Sequence, residues 1–134
     1  MKRSQVGRDM SKPITLEFLE KFAAAWNRHD CDALLSMVTD DCVFQTAIGP
    51  HDYGERHQGK AALRAAFPKV WETFPDARWE EDTHVVCGGR GFSEWVFRGS
   101  DRKGNSVEVR GVDVFTFRDG KISLKNTFRK TRSA

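Results

Sequence analysis

One dipeptide constrains this chain more than any other feature: the pair Asp119-Gly120, which separates two stretches of alternating apolar residues. Both central residues of a two-residue type I′ hairpin take positive φ, and Asp-Gly suits that turn. The pair therefore predicts a hairpin in which Arg118 lies opposite Lys121. Because side chains alternate along a strand, this register places Asp113 opposite Asn126, on the same face as the aromatic residues of both strands.

The turn before it, residues 101–105, is typical of a hairpin loop with a glycine bulge. The resulting register places Trp95 opposite Gly111 and Ser93 opposite Asp113. A two-residue turn would instead point Trp95 outward. We favour the first register because it sets a large indole against a glycine.

Together the hairpins predict one sheet face that is largely apolar and points inward. Its apolar members are Trp95, Phe97, Val109, Phe115, Phe117, Ile122, Leu124 and Phe128. The other face, with Lys125, Thr127 and Arg129, is expected to be the wetter one.

A small polar group is expected among the aromatic residues of the inner face, formed by Asp113, Asn126 and Ser93. Burial disfavours the charged form of a carboxyl group and can prepare it for acid or base chemistry. The alternative is structural: Asp113 and Asn126 satisfy each other's hydrogen bonds in a closed core.

The residues before this sheet have helical periodicity. The spacing of Phe18, Phe22 and Trp26 predicts a first helix that begins at Thr15 and ends between residues 27 and 30. A short second helix is expected after Asp30, which can cap it. A third helix follows Gly59 and should kink or divide at Pro68, since the proline ring removes a backbone hydrogen bond.

Strands are expected at residues 42–48, 78–87, 91–98, 106–118 and 121–129, with a long loop at 49–59. Helices first and an antiparallel meander afterwards indicate an α+β fold, with helices covering one face of a curved sheet.

A chain of 134 residues with a formal charge of +3 is expected to be a single domain, residues 13–134, preceded by a disordered leader, residues 1–12. The charge is too small to indicate a nucleic-acid partner, and no apolar run suggests a membrane span or a secretory signal, so we expect a cytoplasmic protein. Cys31, Cys42 and Cys87 are interpreted as reduced, mostly buried thiols. No motif indicates a metal or a nucleotide cofactor.

Four segments in this order resemble the SnoaL-like branch of the nuclear transport factor 2-like superfamily, over about residues 14–130. They are Ala25-Trp26-Asn27-Arg28-His29-Asp30, Asp40-Asp41-Cys42-Val43-Phe44, Gly59-Lys60-Ala61-Ala62-Leu63 and the stretch from Gly111 to Ile122. The resemblance implies a cone-shaped α+β barrel, with a curved antiparallel sheet wrapped around about three N-terminal helices, and a homodimer. In ketosteroid isomerase and polyketide cyclase relatives, pocket carboxylates transfer protons beside a carbonyl.

The resemblance also implies roles for individual positions. Asp113 coincides with the isomerase acid that donates a hydrogen bond to the developing oxyanion. The isomerase's general base falls at Thr46 and its oxyanion tyrosine at Phe22, so both side chains differ from the family pattern. The second carboxylate of the cyclases falls at Asn126 or Thr127. The positions that carry the arginine and two aspartates of the epoxide-hydrolase relatives lack those residues here.

A replacement base is sought in the loop, where an imidazole would titrate near neutral pH. His57 is the best candidate there for a second catalytic residue beside Asp113, and the alternative is a solvated surface histidine. His84, on a strand, is interpreted as structural.

The leading hypothesis is a homodimeric protein that binds a hydrophobic, carbonyl-containing metabolite and acts as an isomerase, cyclase or lyase through Asp113. The substrate-binding residues would be Trp26, Trp95, Phe97, Phe115, Asn126, Thr46 and Phe22. The alternative is a non-catalytic module for ligand binding or dimerisation, which the missing base at Thr46 favours. A third possibility is an interaction partner that uses the sheet face and would need a large exposed apolar patch.

Overall fold

A computed structural model describes residues 13–133; the predicted leader lies outside them. The helices are α1 (Leu16–Asn27), α2 (Cys31–Ser36), α3 (Lys60–Ala66) and α4 (Lys69–Thr73). The strands are β1 (Val38–Gln45), β2 (Arg56–Gln58), β3 (Arg78–Cys87), β4 (Arg90–Ser100), β5 (Ser106–Arg118) and β6 (Lys121–Arg129). None of the described helices is long and apolar enough to cross a membrane.

The predicted helix signals are confirmed. Thr15 caps α1 by accepting a hydrogen bond from the Phe18 N–H, and Asp30 caps α2 in the same way through the Ala33 N–H. The third predicted helix is divided at Pro68, which lies between α3 and α4. A proline is well tolerated at the start of a helix because its missing N–H has no partner there anyway.

The strands form one sheet in the order β2-β1-β6-β5-β4-β3, so that β2 and β3 are the edges among the described residues. The α+β class is confirmed, but the sheet is mixed: β1 runs parallel to β6. Two neighbouring parallel strands need a long connection, and here every helix and strand between β1 and β6 in the chain belongs to it. Two strand predictions are wrong. β1 spans Val38–Gln45 and not residues 42–48, and the predicted loop at residues 49–59 contains β2.

Both predicted turns are confirmed. Asp119 and Gly120 have φ of 55° and 74°, as a type I′ turn requires. Between β4 and β5, Trp95 lies opposite Gly111 and Ser93 opposite Asp113.

Beyond the second turn, the predicted register of β6 is wrong by one residue. Phe117 lies opposite Ile122 but Thr116 lies opposite Leu124, so Ser123 is an extra residue in β6. The ladder between β6 and β1 shifts at the same point. A β-bulge of this kind reverses which face each later residue occupies.

The bulge therefore changes both sheet faces. Asp113 lies opposite Thr127, while Asn126 lies opposite Val114. Phe128, predicted to point inward with Leu124, is 52% exposed, whereas Lys125, expected on the wet face, is buried.

A second bulge lies in β3. Its register with β4 shifts between Glu80 and Thr83, and Glu81 has a φ of 57°. Trp79 lies opposite Phe97 before the bulge, and His84 lies opposite Ser93 after it.

The core fills the space between the helices and the concave side of the sheet. Its members with the least exposure are Leu19, Leu34, Val38, Cys42, Leu63, Phe67, Phe115 and Ile122. The three cysteines are free. Burial raises the pKa of the Cys42 thiol to about 12, whereas Cys87, expected to be buried, is exposed on the edge strand β3.

Candidate functional site

A cavity of about 270 Å³ lies between the helices and the sheet. Aromatic and aliphatic side chains form most of its wall: Leu19, Phe22, Trp26, Phe44, Ile48, Phe67, Val70, Trp79, Trp95, Phe97 and Phe115. Thr46 lies where the chain leaves β1, and its hydroxyl donates to the Ile48 carbonyl at 2.8 Å and accepts from the Glu55 N–H at 2.9 Å. Five of the ten phenylalanines therefore line this space, and they leave it open.

A buried ion pair interrupts the apolar wall. The Lys125 Nζ lies 2.9 Å from the Asp113 Oδ1, and the two side chains are 6% and 11% exposed. Three donors converge on this carboxylate: Lys125, the Thr127 hydroxyl at 2.5 Å and the Trp95 Nε1 at 3.1 Å. Asp113 thus acts as a hydrogen-bond acceptor toward all three of these neighbours.

The ammonium group of Lys125 also lies among aromatic rings. Its Nζ is 4.5 Å from the Phe44 ring centroid and 5.0 Å from the Trp26 ring centroid. It donates to the Thr127 hydroxyl at 2.9 Å as well as to Asp113. Both rings line the cavity, so the charge is held at the cavity wall by one carboxylate, one hydroxyl and two π faces.

A second polar cluster, formed by Asp82, His84 and Ser93, lies in the same wall. The His84 Nδ1 is 2.7 Å from the Ser93 hydroxyl. The His84 Nε2 is 3.6 Å from an Asp82 carboxylate oxygen, and the imidazole is only 9% exposed. The bulge in β3 brings both Asp82 and His84 to the concave side.

Residues 19–124 match the family of SnoaL-like domains. The chain belongs to this family. A search of curated proteins gives no match.

Solved structures share the fold of this SnoaL-like domain. A candidate polyketide cyclase from Xanthomonas campestris pv. campestris is 22% identical, with a TM-score of 0.74, and the alignment covers 84% of this chain and 87% of that one. An NTF2-like protein of unknown function from Mesorhizobium loti is 28% identical, with a TM-score of 0.70 over 86% and 89% of the two chains. TerC, co-crystallised with polyporic acid, is 18% identical, with a TM-score of 0.74 over 86% and 90%.

Most of the residues that the sequence singled out meet at the cavity of the SnoaL-like domain. Those that line it are Phe22, Trp26, Thr46, Trp95, Phe97, Asp113 and Phe115. Two do not line it. Asn126 lies on the opposite face of β6 because of the bulge. His57 lies on β2, with its Nε2 3.4 Å from a Glu55 carboxylate oxygen and its ring centroid 6.0 Å from that of Phe44.

Sequence reasoning missed five polar residues of the cavity wall: Asp82, His84, Lys125, Thr127 and Arg129. Asp82 lies within the bulge of β3, and the other four follow a bulge in their strand. The alternation Lys125, Thr127, Arg129 was visible in the sequence, but strict pairing from the turn assigned it to the wet face. Among the described residues, no group of three His, Cys, Asp or Glu is arranged to hold a metal ion.

Proposed function

We propose that this SnoaL-like domain binds a hydrophobic, carbonyl-containing small molecule in the cavity. It would act on that molecule as an isomerase, cyclase or lyase, through acid/base chemistry of Asp113 and its partner Lys125. The observation that carries the proposal is the buried ion pair in the wall of an open apolar cavity. Ion pairs are a costly way to fill a core, because apolar residues of the same volume are often at least as stabilising.

The unused hydrogen-bonding groups support a ligand that carries an oxygen acceptor. An ammonium group has three N–H donors, and Lys125 uses two of them with Asp113 and Thr127. The Trp26 Nε1 is buried and has no hydrogen-bond partner among residues 13–133. Both of these unpaired groups are donors, and a carbonyl oxygen is a complementary acceptor.

Lys125 can stabilise negative charge that develops on such an oxygen when a proton leaves the neighbouring carbon. Asp113 orients the ammonium group, and the indole N–H of Trp95 in turn fixes Asp113. In this proposal the hydrogen-bond donor to the ligand oxygen is therefore Lys125, with Asp113 as the acid/base partner behind it. The interaction is strong because the aromatic wall excludes water and lowers the local dielectric constant.

Binding can be tested with polyporic acid, the ligand of the structural neighbour TerC, and with acetophenone as a small aryl ketone. Calorimetric titration should give saturable binding at one site per chain. Lys125→Met should weaken binding about tenfold or more, since hydrogen bonds to charged groups contribute about 1.5–3 kcal/mol. Lys103→Met, which removes a lysine from an exposed turn, should bind like the wild type.

Two results would contradict the proposal: neither compound binds at millimolar concentration, or the folded Lys125→Met variant binds both as tightly as the wild type.

A non-catalytic ligand-binding module is the second candidate function. The observation that favours it is the saturation of Asp113 by three donors, which leaves this carboxylate less able to accept a proton from a ligand. Long incubation with acetophenone in deuterated water separates the two functions: a binding module returns the compound unchanged, whereas an acid/base enzyme exchanges the hydrogens of the methyl group beside the carbonyl.

We also propose that the protein is a homodimer, as the family resemblance implies, in a cytoplasmic setting. Apolar residues on the convex side of the sheet support this: Phe128 is 52% exposed and lies opposite Val112, and Val85 is 39% exposed and lies opposite Phe92. Phe128→Lys should shift the mass measured by light scattering toward the monomer. A wild-type protein that is monomeric at all concentrations would contradict the dimer.

A further inference from the structure

A polar row crosses the concave face of the sheet, from the edge strand to the ion pair. His84 on β3 lies opposite Ser93 on β4, Ser93 opposite Asp113 on β5, and Asp113 opposite Thr127 on β6. With strands about 4.8 Å apart, the row spans about 14 Å between its outer Cα atoms. The imidazole and the Asp113–Lys125 pair therefore flank one stretch of the cavity wall.

The hydrogen bond to Ser93 leaves one imidazole nitrogen available. The His84 Nδ1 is engaged with the Ser93 hydroxyl at 2.7 Å, and in the tautomer in which it donates, the lone pair is on Nε2. The nearest carboxylate oxygen, from Asp82, is 3.6 Å from Nε2, beyond hydrogen-bond distance. It is nevertheless close enough to stabilise the imidazolium that forms when Nε2 takes a proton.

We propose that His84 is the general base of this cavity, with Asp82 and Ser93 as its positioning residues, and that its substrates are carbon acids. The inference rests on the proposed function for the carbonyl class of ligand. The Nε2 lone pair takes a proton from the carbon next to the carbonyl. The C–H electron pair becomes a C=C bond, and the carbonyl π pair moves to the oxygen, where the Lys125 ammonium donates to it. Returning the proton to another carbon completes an isomerisation.

The charged groups around His84 suit this role. Asp82, on the same strand, is the carboxylate nearest to the ring. Asp113 on β5 is engaged by Lys125, so its charge is largely compensated. Arg129 on β6 also lines the cavity. His84 thus has an adjacent anion to stabilise its protonated form and, in Lys125, a cation on the same wall for the enolate.

The test uses 5-nitrobenzisoxazole, a flat, neutral carbon acid whose deprotonation at C3 breaks the N–O bond and releases a coloured phenolate. The wild-type protein should accelerate this elimination with saturation kinetics, and kcat should rise with pH through a single ionisation. His84→Gln should lower kcat by about 100-fold or more, the usual contribution of a general base. His51→Gln, a substitution in an exposed loop, is the matched control and should have no effect.

Asp82→Asn provides a second test, in which the imidazole of His84 stays in place. Asp82 is 27% exposed, so this variant should fold. It should lower kcat and leave KM unchanged, because the imidazolium that forms in the transition state loses its neighbouring anion while the cavity keeps its shape. A purely structural role for Asp82 would raise KM as well.

The proposal is overturned if the folded wild-type protein gives no elimination above the buffer rate. It is also overturned if His84→Gln keeps the wild-type kcat, or if Asp82→Asn leaves kcat unchanged. If the wild-type protein binds neither polyporic acid nor acetophenone, the proposed function is wrong instead. His84→Gln should still bind acetophenone, since the oxygen donor at Lys125 is intact.

Discussion

Asp113→Asn should destabilise the folded protein by about 3–5 kcal/mol, the usual cost of removing one partner of a buried ion pair. The substitution keeps the size of the side chain but leaves the Lys125 ammonium, 6% exposed, without a counter-ion. Urea unfolding followed by circular dichroism measures the change. A loss of this size is a large part of the free energy of unfolding of an ordinary domain.

A double variant separates loss of the pair from loss of one partner. Asp113→Leu with Lys125→Met replaces both charges by apolar groups and should recover part of the stability lost in Asp113→Asn. Recovery is partial because the Trp95 N–H and the Thr127 hydroxyl lose their acceptor. Asp32→Asn, which breaks the surface pair of Asp32 with Arg64, should leave the unfolding midpoint unchanged. If Asp113→Asn also leaves the unfolding midpoint unchanged, Lys125 does not need Asp113 as its counter-ion in the folded protein.

The double variant also tests why the pair is there. A folded double variant that no longer binds polyporic acid or acetophenone would mean that the charges serve the ligand and not the core. Retained binding would instead make the pair a structural feature of a cavity that recognises its ligand through shape and apolar contact alone. The urea unfolding and the ligand binding of the double variant are therefore separate measurements, and the binding result tests the proposed function.

The sequence predicted those parts of the fold that depend on local chemistry. Thr15 and Asp30 start helices through their own side-chain oxygens, Pro68 divides a helix through its ring, and the Asp119-Gly120 turn requires positive φ. Each of these constraints acts within a few residues, so a single sequence contains all the information needed. The pairing of β1 with β6 joins distant segments, and nothing local indicates that it is parallel.

The bulge in β6 explains why Lys125 and Thr127 were assigned to the wrong face, whereas no face was predicted for the residues of β3. Alternation propagates an assignment along a strand, so one extra residue reverses every later assignment. The extra residue of β6 is Ser123, and the residue with positive φ in the β3 bulge is Glu81; neither is a glycine, the usual sequence sign of an irregular strand. Asp113 was placed correctly because it lies on β5, before the error enters.

Bulges often occur next to functional sites, because they change the direction in which a side chain points. Here each bulge turns polar residues into an apolar cavity: Lys125 and Thr127 from β6, and Asp82 and His84 from β3. Regular strands would have placed these side chains in water, where they are cheaply solvated. The cost of burying them at this one place is the best reason to seek chemistry there.

Gly111→Ala should destabilise the protein by about 3 kcal/mol, the upper part of the usual range for overpacking. A Cβ on Gly111 would overlap the Trp95 ring and would lie 2.6 Å from the Phe128 carbonyl oxygen. The backbone contact cannot relax without disturbing the ladder between β5 and β6. The indole would have to move, and its Nε1 would then lose the hydrogen bond to Asp113.

This coupling distinguishes a clash at Gly111 from ordinary loss of packing. Gly111→Ala should lower ligand affinity as well as stability, because displacing Trp95 frees the carboxylate that orients Lys125. Gly89→Ala is the matched control, since a Cβ there meets nothing within 4 Å, and it should change neither property. If Gly111→Ala unfolds at the same urea concentration as the wild type, the Trp95 indole does not pack against Gly111. If the variant is destabilised but binds acetophenone with wild-type affinity, Trp95 does not position the ion pair.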